Sequence, residues 1–140
     1  MNVDPVLLDL ASTYLHLRAD DGATTMEGGA AFWAGIDDRR DLDSGRLCAM
    51  FEQTADWDHW ERHPAGPELL VTIRGRMELL IEHDDRARTV VSTIMAAGQA
   101  MLVPTGLWHR AKVLEPGRLL AITAGAGTEH RAVDATKRTI

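Results

Sequence analysis

Two short stretches of this 140-residue chain concentrate the side chains that hold metals or move protons. The first reads Trp57-Asp58-His59-Trp60-Glu61-Arg62-His63-Pro64-Ala65-Gly66-Pro67-Glu68. Alternate side chains of a strand share a face, so His59, Glu61 and His63 project together, whereas Trp57 and Trp60 fall on opposite faces. Glu68 has the wrong parity for a straight continuation. The bend from Pro64 to Pro67 resets it, because two prolines and a glycine cannot run as an unbroken central strand, and His63 and Glu68 are then expected in one cavity. The second stretch, 98–109, is an apolar strand running into a tight turn that ends on an imidazole. Gly98 opens the strand from a positive φ, Pro104 fixes one torsion, and Gly106 supplies a turn position that a β-carbon would strain. His109 therefore starts the next strand on a rigid hairpin, which meets the positional demand on a metal ligand.

The elements that carry these groups are short. Turn signals recur at 19–22, 27–29, 43–45, 64–67, 75, 83–85, 98, 104–106 and 115–117, and the segments between them are apolar and often alternating. This spacing predicts an all-β sandwich or barrel, with strands over 13–17, 46–53, 57–63, 68–73, 77–82, 89–95, 100–103, 109–113 and 119–123. Leu69, Val71 and Ile73 share one face of their strand and Glu68, Leu70 and Thr72 the other, so that strand is expected to be covered twice. Residues 32–36 suit a short helix or a strand. Residues 1–125 read as one domain with its barrel core at 46–124, followed by a polar, peripheral tail over 126–140.

Glu61-x-His63, four residues, Glu68, six residues and Gly75 resemble the first motif of the cupin superfamily, His-x-His, three or four residues, Glu, six residues, Gly. The string Gly98-x5-Pro104-x-Gly106-x-x-His109 resembles the second. The likeness covers about 55–113 and departs from the pattern twice: Glu61 stands for the first histidine, and Ala55 for a glycine six positions earlier. It implies a single-domain cupin jelly roll. Carried over residue by residue, it implies a divalent metal held by His63, Glu68 and His109, with Glu61 as a fourth ligand or as a catalytic acid or base. Such a set suits Fe, Mn, Ni or Zn, and a second carboxylate shifts preference toward Mn(II) or Fe(II). His59, Trp57, Leu70 and Met101 are expected to shape the pocket.

The activity this implies is metal-dependent chemistry on a small carbonyl or enol compound, dioxygenase-like or of the isomerase or lyase type. The alternative is a cupin that binds or senses a small ligand without turnover, with or without metal. In a metal-free version Glu61 and Glu68 would share a cavity, which raises one carboxylate's pKa unless Arg62, Arg74 or Arg110 neutralises it.

Composition narrows the partners. The net charge is −6, and no run of Lys or Arg forms a stripe to track phosphates, which argues against nucleic acid. No segment reaches the apolar length of a membrane span, and the acidic N-terminus does not resemble a signal peptide. With Cys48 as the single cysteine, a cytoplasmic location is expected. The doubly apolar strand and the habits of the family point to a homodimer. His16, His83 and His130 read as core or solvated histidines, Trp108 as a buttress for the turn before His109, and Met77, Met95 and Met101 as core filling.

Overall fold

In a computed structural model, which describes residues 4–133, the described residues form nine strands, one short α-helix and two 3-10 turns at Ile36–Asp38 and Arg40–Asp43. In chain order the strands and the helix are β1 (Thr13–Leu17), β2 (Ala23–Glu27), α1 (Ala30–Ala34), β3 (Arg46–Gln53), β4 (His59–Arg62), β5 (Glu68–Glu82), β6 (Val90–Ala96), β7 (Ala100–Val103), β8 (His109–Thr123) and β9 (Glu129–Ala132). Every pairing is antiparallel.

The two long strands β5 and β8 pair along their whole length and belong to both layers of a jelly roll. The first half of β5 and the second half of β8 are flanked by β7 and by β3, β1 and β2. The second half of β5 and the first half of β8 are flanked by β6 and by β4 and β9. The sequence reading split each long strand in two at Gly75 and at Pro116-Gly117. Both run on instead, because these glycines make a corner rather than a break. Gly75 has φ +84°, and a β-carbon on Gly117 would lie 1.8 Å from the Arg74 carbonyl oxygen, so the strands cross there without side chains between them. The register slips between Thr72 and Met77. As a result β5 turns its even positions inward before the corner (Glu68, Leu70, Thr72) and its odd positions after it (Met77, Leu79, Ile81).

Leu70, Met77, Leu79 and Ile81 form the main core with Met95, Val103, Ala111, Leu119 and Ala121, drawn from both layers. A second cluster, Tyr14, Phe32 and Ala49, lies under α1, where the Trp33 indole N–H donates to the Tyr14 hydroxyl at 3.1 Å. Leu69 and Val71 are only half-buried and Ile73 is exposed, so the second cover expected for that strand is not supplied among the described residues. Two strands lay outside the sequence reading. The edge strand β2 has a mostly exposed Ala-Thr-Thr-Met-Glu pattern. Residues 129–132, assigned to a peripheral tail, pair with β4 as β9; of that tail, 134–140 lie outside the described residues.

Candidate metal centre

At one end of the roll, where the two layers part, five segments bring polar side chains together. Glu61 and His63 come from β4 and the residue after it. The turn at 64–67 crosses to the other layer and delivers Glu68 at the start of β5, and His109 begins β8 as the cross-strand partner of Glu61. The turn before His109 is pinned to this end, since the Gly106 N–H donates to the His63 carbonyl at 3.0 Å. Thr123, at the far end of β8, donates its hydroxyl to Glu68 Oε2. Thr128, just before β9, closes the ring of partners.

The four expected ligands converge: donor atoms of Glu61, His63, Glu68 and His109 all lie within 4.8 Å of one another. His109 Nε2 is 2.9 Å from Glu68 Oε1, and His63 Nε2 is 3.1 Å from Glu68 Oε2. Glu61 Oε1 stands farther off, 3.4 Å from His63 Nε2 and 3.6 Å from His109 Nε2. His109, Glu68 and His63 are buried, and Glu61, with 18% of its side chain exposed, forms the lip.

The outer nitrogens of both rings are tied. His109 Nδ1–H donates to the Leu107 carbonyl at 3.0 Å. The Thr128 hydroxyl spends its proton on the Gly125 carbonyl at 2.8 Å, so its oxygen accepts from His63 Nδ1–H, also at 2.8 Å. Both imidazoles therefore present Nε2 to the centre. His63 Nε2 makes no well-aligned hydrogen bond there even though a carboxylate oxygen is close. A buried, orphaned nitrogen aimed at two carboxylates and a second imidazole fits a divalent cation by donor chemistry and by direction.

The charges are strongly coupled. Burial opposes ionisation of Glu61, yet the imidazoles of His109, His59 and His63 outweigh it and hold its carboxyl far below the usual range. Glu68 is likewise lowered, burial being overcome by His109 and His63. Burial pulls the imidazoles down, but Glu61 and Glu68 raise His63 to about 9 and His109 to about 10. The expectation that one carboxylate would be pushed up is thus corrected, because imidazoles and not arginines face the pair. Arg62 pairs with Glu129, Arg74 with Glu52, and Arg110 lies over the Trp60 ring.

The remaining expected pocket residues separate. His59 is half-buried, its Nε2 3.6 Å from Glu61 Oε2, and Trp57 stacks against it with ring centroids 6.3 Å apart. Leu70 and Met101 form a cross-strand pair that packs in the main core. Thr123 and Thr128 escaped the sequence reading, and His130, expected to be merely solvated, stands at the site with its Nε2 3.7 Å from Glu61 Oε2. For Thr128 and His130 the one signal was the Thr-x-His spacing of 128–130, which carries no meaning until β9 is known to pair with β4. Trp108 sits between the guanidiniums of Arg62 and Arg131, each 4.7 Å from its ring, and so buttresses the turn as expected.

No family model matches the chain, and no curated protein matches it in sequence. Among solved structures it is similar to a cupin-2 domain containing protein from Shewanella frigidimarina, at 16% identity and TM-score 0.45, over 55% of this chain and 68% of that one. It is also similar to hydroxypropylphosphonic acid epoxidase from S. wedmorenis (15%, TM-score 0.47, 56% of this chain and 43% of that one) and to oxalate decarboxylase from Bacillus subtilis (19%, 0.49, 63% and 23%). The chain spans less than half the length of the latter two. Its own topology and site define an all-β jelly roll with a buried His/Glu cluster where the layers part. This is the fold that the resemblance of the two motifs to the cupin pattern implies.

Proposed function

We propose that the protein is a small metal-dependent enzyme of the cupin type in which His63, Glu68, His109 and Glu61 hold one divalent ion. The observation that carries this reading is the tying of both Nδ1 atoms, which leaves two buried Nε2 atoms facing two carboxylates. Charge supports it. With both imidazoles protonated the set is neutral, and exchanging two protons for one divalent cation keeps it neutral, so loading costs no new buried charge. The two carboxylates favour Mn(II) or Fe(II), with Zn(II) and Ni(II) behind them.

When bound, the ion would supply Lewis acidity or oxygen activation to a substrate at its open positions. The chain's own residues do the rest. A small carbonyl or enol compound approaches past Trp57 and His59, on the side where Glu61 is exposed. Glu61, kept ionised by its imidazoles, is a ligand and too weak a base to take a substrate proton, whereas His59, raised to about 9 chiefly by Glu61, stands 3.6 Å from it at Nε2 and serves as the proton donor to a substrate oxygen. The inner histidines, locked by Leu107 and Thr128, fix the geometry and exchange no protons during turnover.

Metal analysis of protein purified without chelator is expected to give about one equivalent or more of a transition metal per chain, and a value below about a tenth would sink the reading. Oxygen uptake with Fe(II) or Mn(II) that disappears in His109→Ala assigns a dioxygenase-like reaction; product without oxygen uptake assigns an isomerase or lyase. Thermal stabilisation by a small ligand with no product assigns a binding module. One observation favours a metal-free alternative: Glu68 already pairs with both imidazoles, at 2.9 and 3.1 Å. In that case His63→Ala leaves metal content unchanged. The outward-facing Ile73 and Leu102 suit a homodimer, and a monomer by light scattering at micromolar concentration would rule it out.

A further inference from the structure

The two oxygens of Glu61 face different histidines. Oε1 looks inward to His63 and His109, while Oε2 looks outward to His59 at 3.6 Å and His130 at 3.7 Å. Donor atoms of His59, Glu61 and His130 lie within 4.8 Å of one another, forming a second set that shares one carboxylate with the first. The backbone builds this set: His59 and Glu61 are alternate residues of β4, and His130 is the cross-strand partner of Glu61 on β9, with the two imidazole centroids 5.0 Å apart. The separations are too long for hydrogen bonds. They lie close to the spacing of about 3.3 Å between two ligands on one tetrahedral ion with bonds near 2.0–2.1 Å. The His59 ring is oriented as a ligand's is, since its Nδ1–H donates to Asp58 Oδ1 at 2.8 Å and Nε2 is turned toward Glu61.

We propose that Glu61 is a bridging carboxylate and that His59 and His130 complete a second, outer position, so that the protein takes two divalent cations. Glutamate in place of histidine is what makes this possible, because an imidazole turned inward offers one nitrogen to one ion, whereas a carboxylate serves two. The bridge rests on the inner position proposed above; the outer position has its own donors. Two imidazoles and a carboxylate with open sites suit Zn(II), Co(II) or Fe(II), and the exposure of His59 and His130 makes the outer ion the weaker and more exchangeable one.

The test is Zn(II) titration of chelator-treated full-length protein, by calorimetry and equilibrium dialysis. It compares the wild type with the double variant His59→Gln, His130→Gln and with His109→Gln, and circular dichroism confirms that each is folded. The wild type is expected to take two equivalents. The outer double variant should keep the tighter one and bind the second about tenfold or more weakly, and His109→Gln should do the reverse. A second equivalent that survives the outer double variant, or a single equivalent that the variant does not touch, overturns the outer position. A single equivalent lost in the outer variant and kept in His109→Gln upholds the outer position while the inner one fails. Glu61→Gln should weaken both equivalents, and weakening of only one would overturn the bridge.

Discussion

On the inner face of β4, Glu61 lies with His59, and with His63 just beyond the strand end, among other imidazoles and carboxylates; on the outer face, Trp60 and Arg62 lie among aromatic rings and guanidiniums. The outer face is a stack. Arg131 of β9 sits over Trp60 at 5.2 Å and over Trp108 at 4.7 Å, reaches Glu82 with both terminal nitrogens, and lies beside the ion pair of Arg62 and Glu129. Both faces hold charge, but on different terms. The inner charges are buried and balance only one another, so changing any one leaves the others uncompensated. The outer charges rest on π faces and are part solvated, so each contributes little and can be lost singly. One strand thus separates a face where chemistry is concentrated from a face that holds β4, β8 and β9 together.

The largest effect is expected from His109→Gln. It removes a fully buried partner of two carboxylates and should destabilise the metal-free protein by about 3–5 kcal/mol, read by urea denaturation, besides abolishing tight metal binding. A loss no larger than that of an outer-face variant would erase the contrast between the faces.

Next comes pH. The unfolded imidazoles have a value near 6.5 and the folded ones about 9 for His63 and about 10 for His109. Their contribution is therefore complete below about pH 6.5 and is lost as pH rises toward 9–10. The melting temperature of chelator-treated protein should fall across that window, whereas metal-loaded protein, whose imidazoles are already neutral, should show a flatter profile. Equal slopes for the two forms would break the link between proton and metal.

Smaller is Arg131→Ala, expected to cost about 1–2 kcal/mol through two cation–π contacts and one ion pair, and to weaken the outer metal position more than the inner one by loosening β9. Hydrogen exchange at 129–132 would report the loosening. Smallest is Arg110→Ala, whose ring contact with Trp60 is long at 6.0 Å and whose removal should shift stability by about 0.5–1 kcal/mol with no change in metal binding. A metal effect there would show that the faces are coupled after all.

Much of this was legible in local sequence, for local reasons. The parity of β4 and the reset at Pro64 to Pro67 bring Glu61, His63 and Glu68 together, and the Pro104 to Gly106 turn delivers His109. Each inference needed only the two-residue period of a strand and the chemistry of a turn. The corners at Gly75 and Gly117 were misread as strand ends because a glycine that breaks a strand and one that lets two strands cross look alike in sequence.

The sequence alone determined an all-β chain with two imidazoles and two carboxylates on converging strands, because alternation and turn residues act within a few positions. Only the tertiary structure decided what surrounds them. Strand pairing is non-local, so a Thr-Glu-His segment in a polar stretch becomes Thr128 beneath His63 and His130 beside Glu61 only once β9 lies against β4. That pairing turns Glu61 from a substituted ligand into a carboxylate with histidines on both sides.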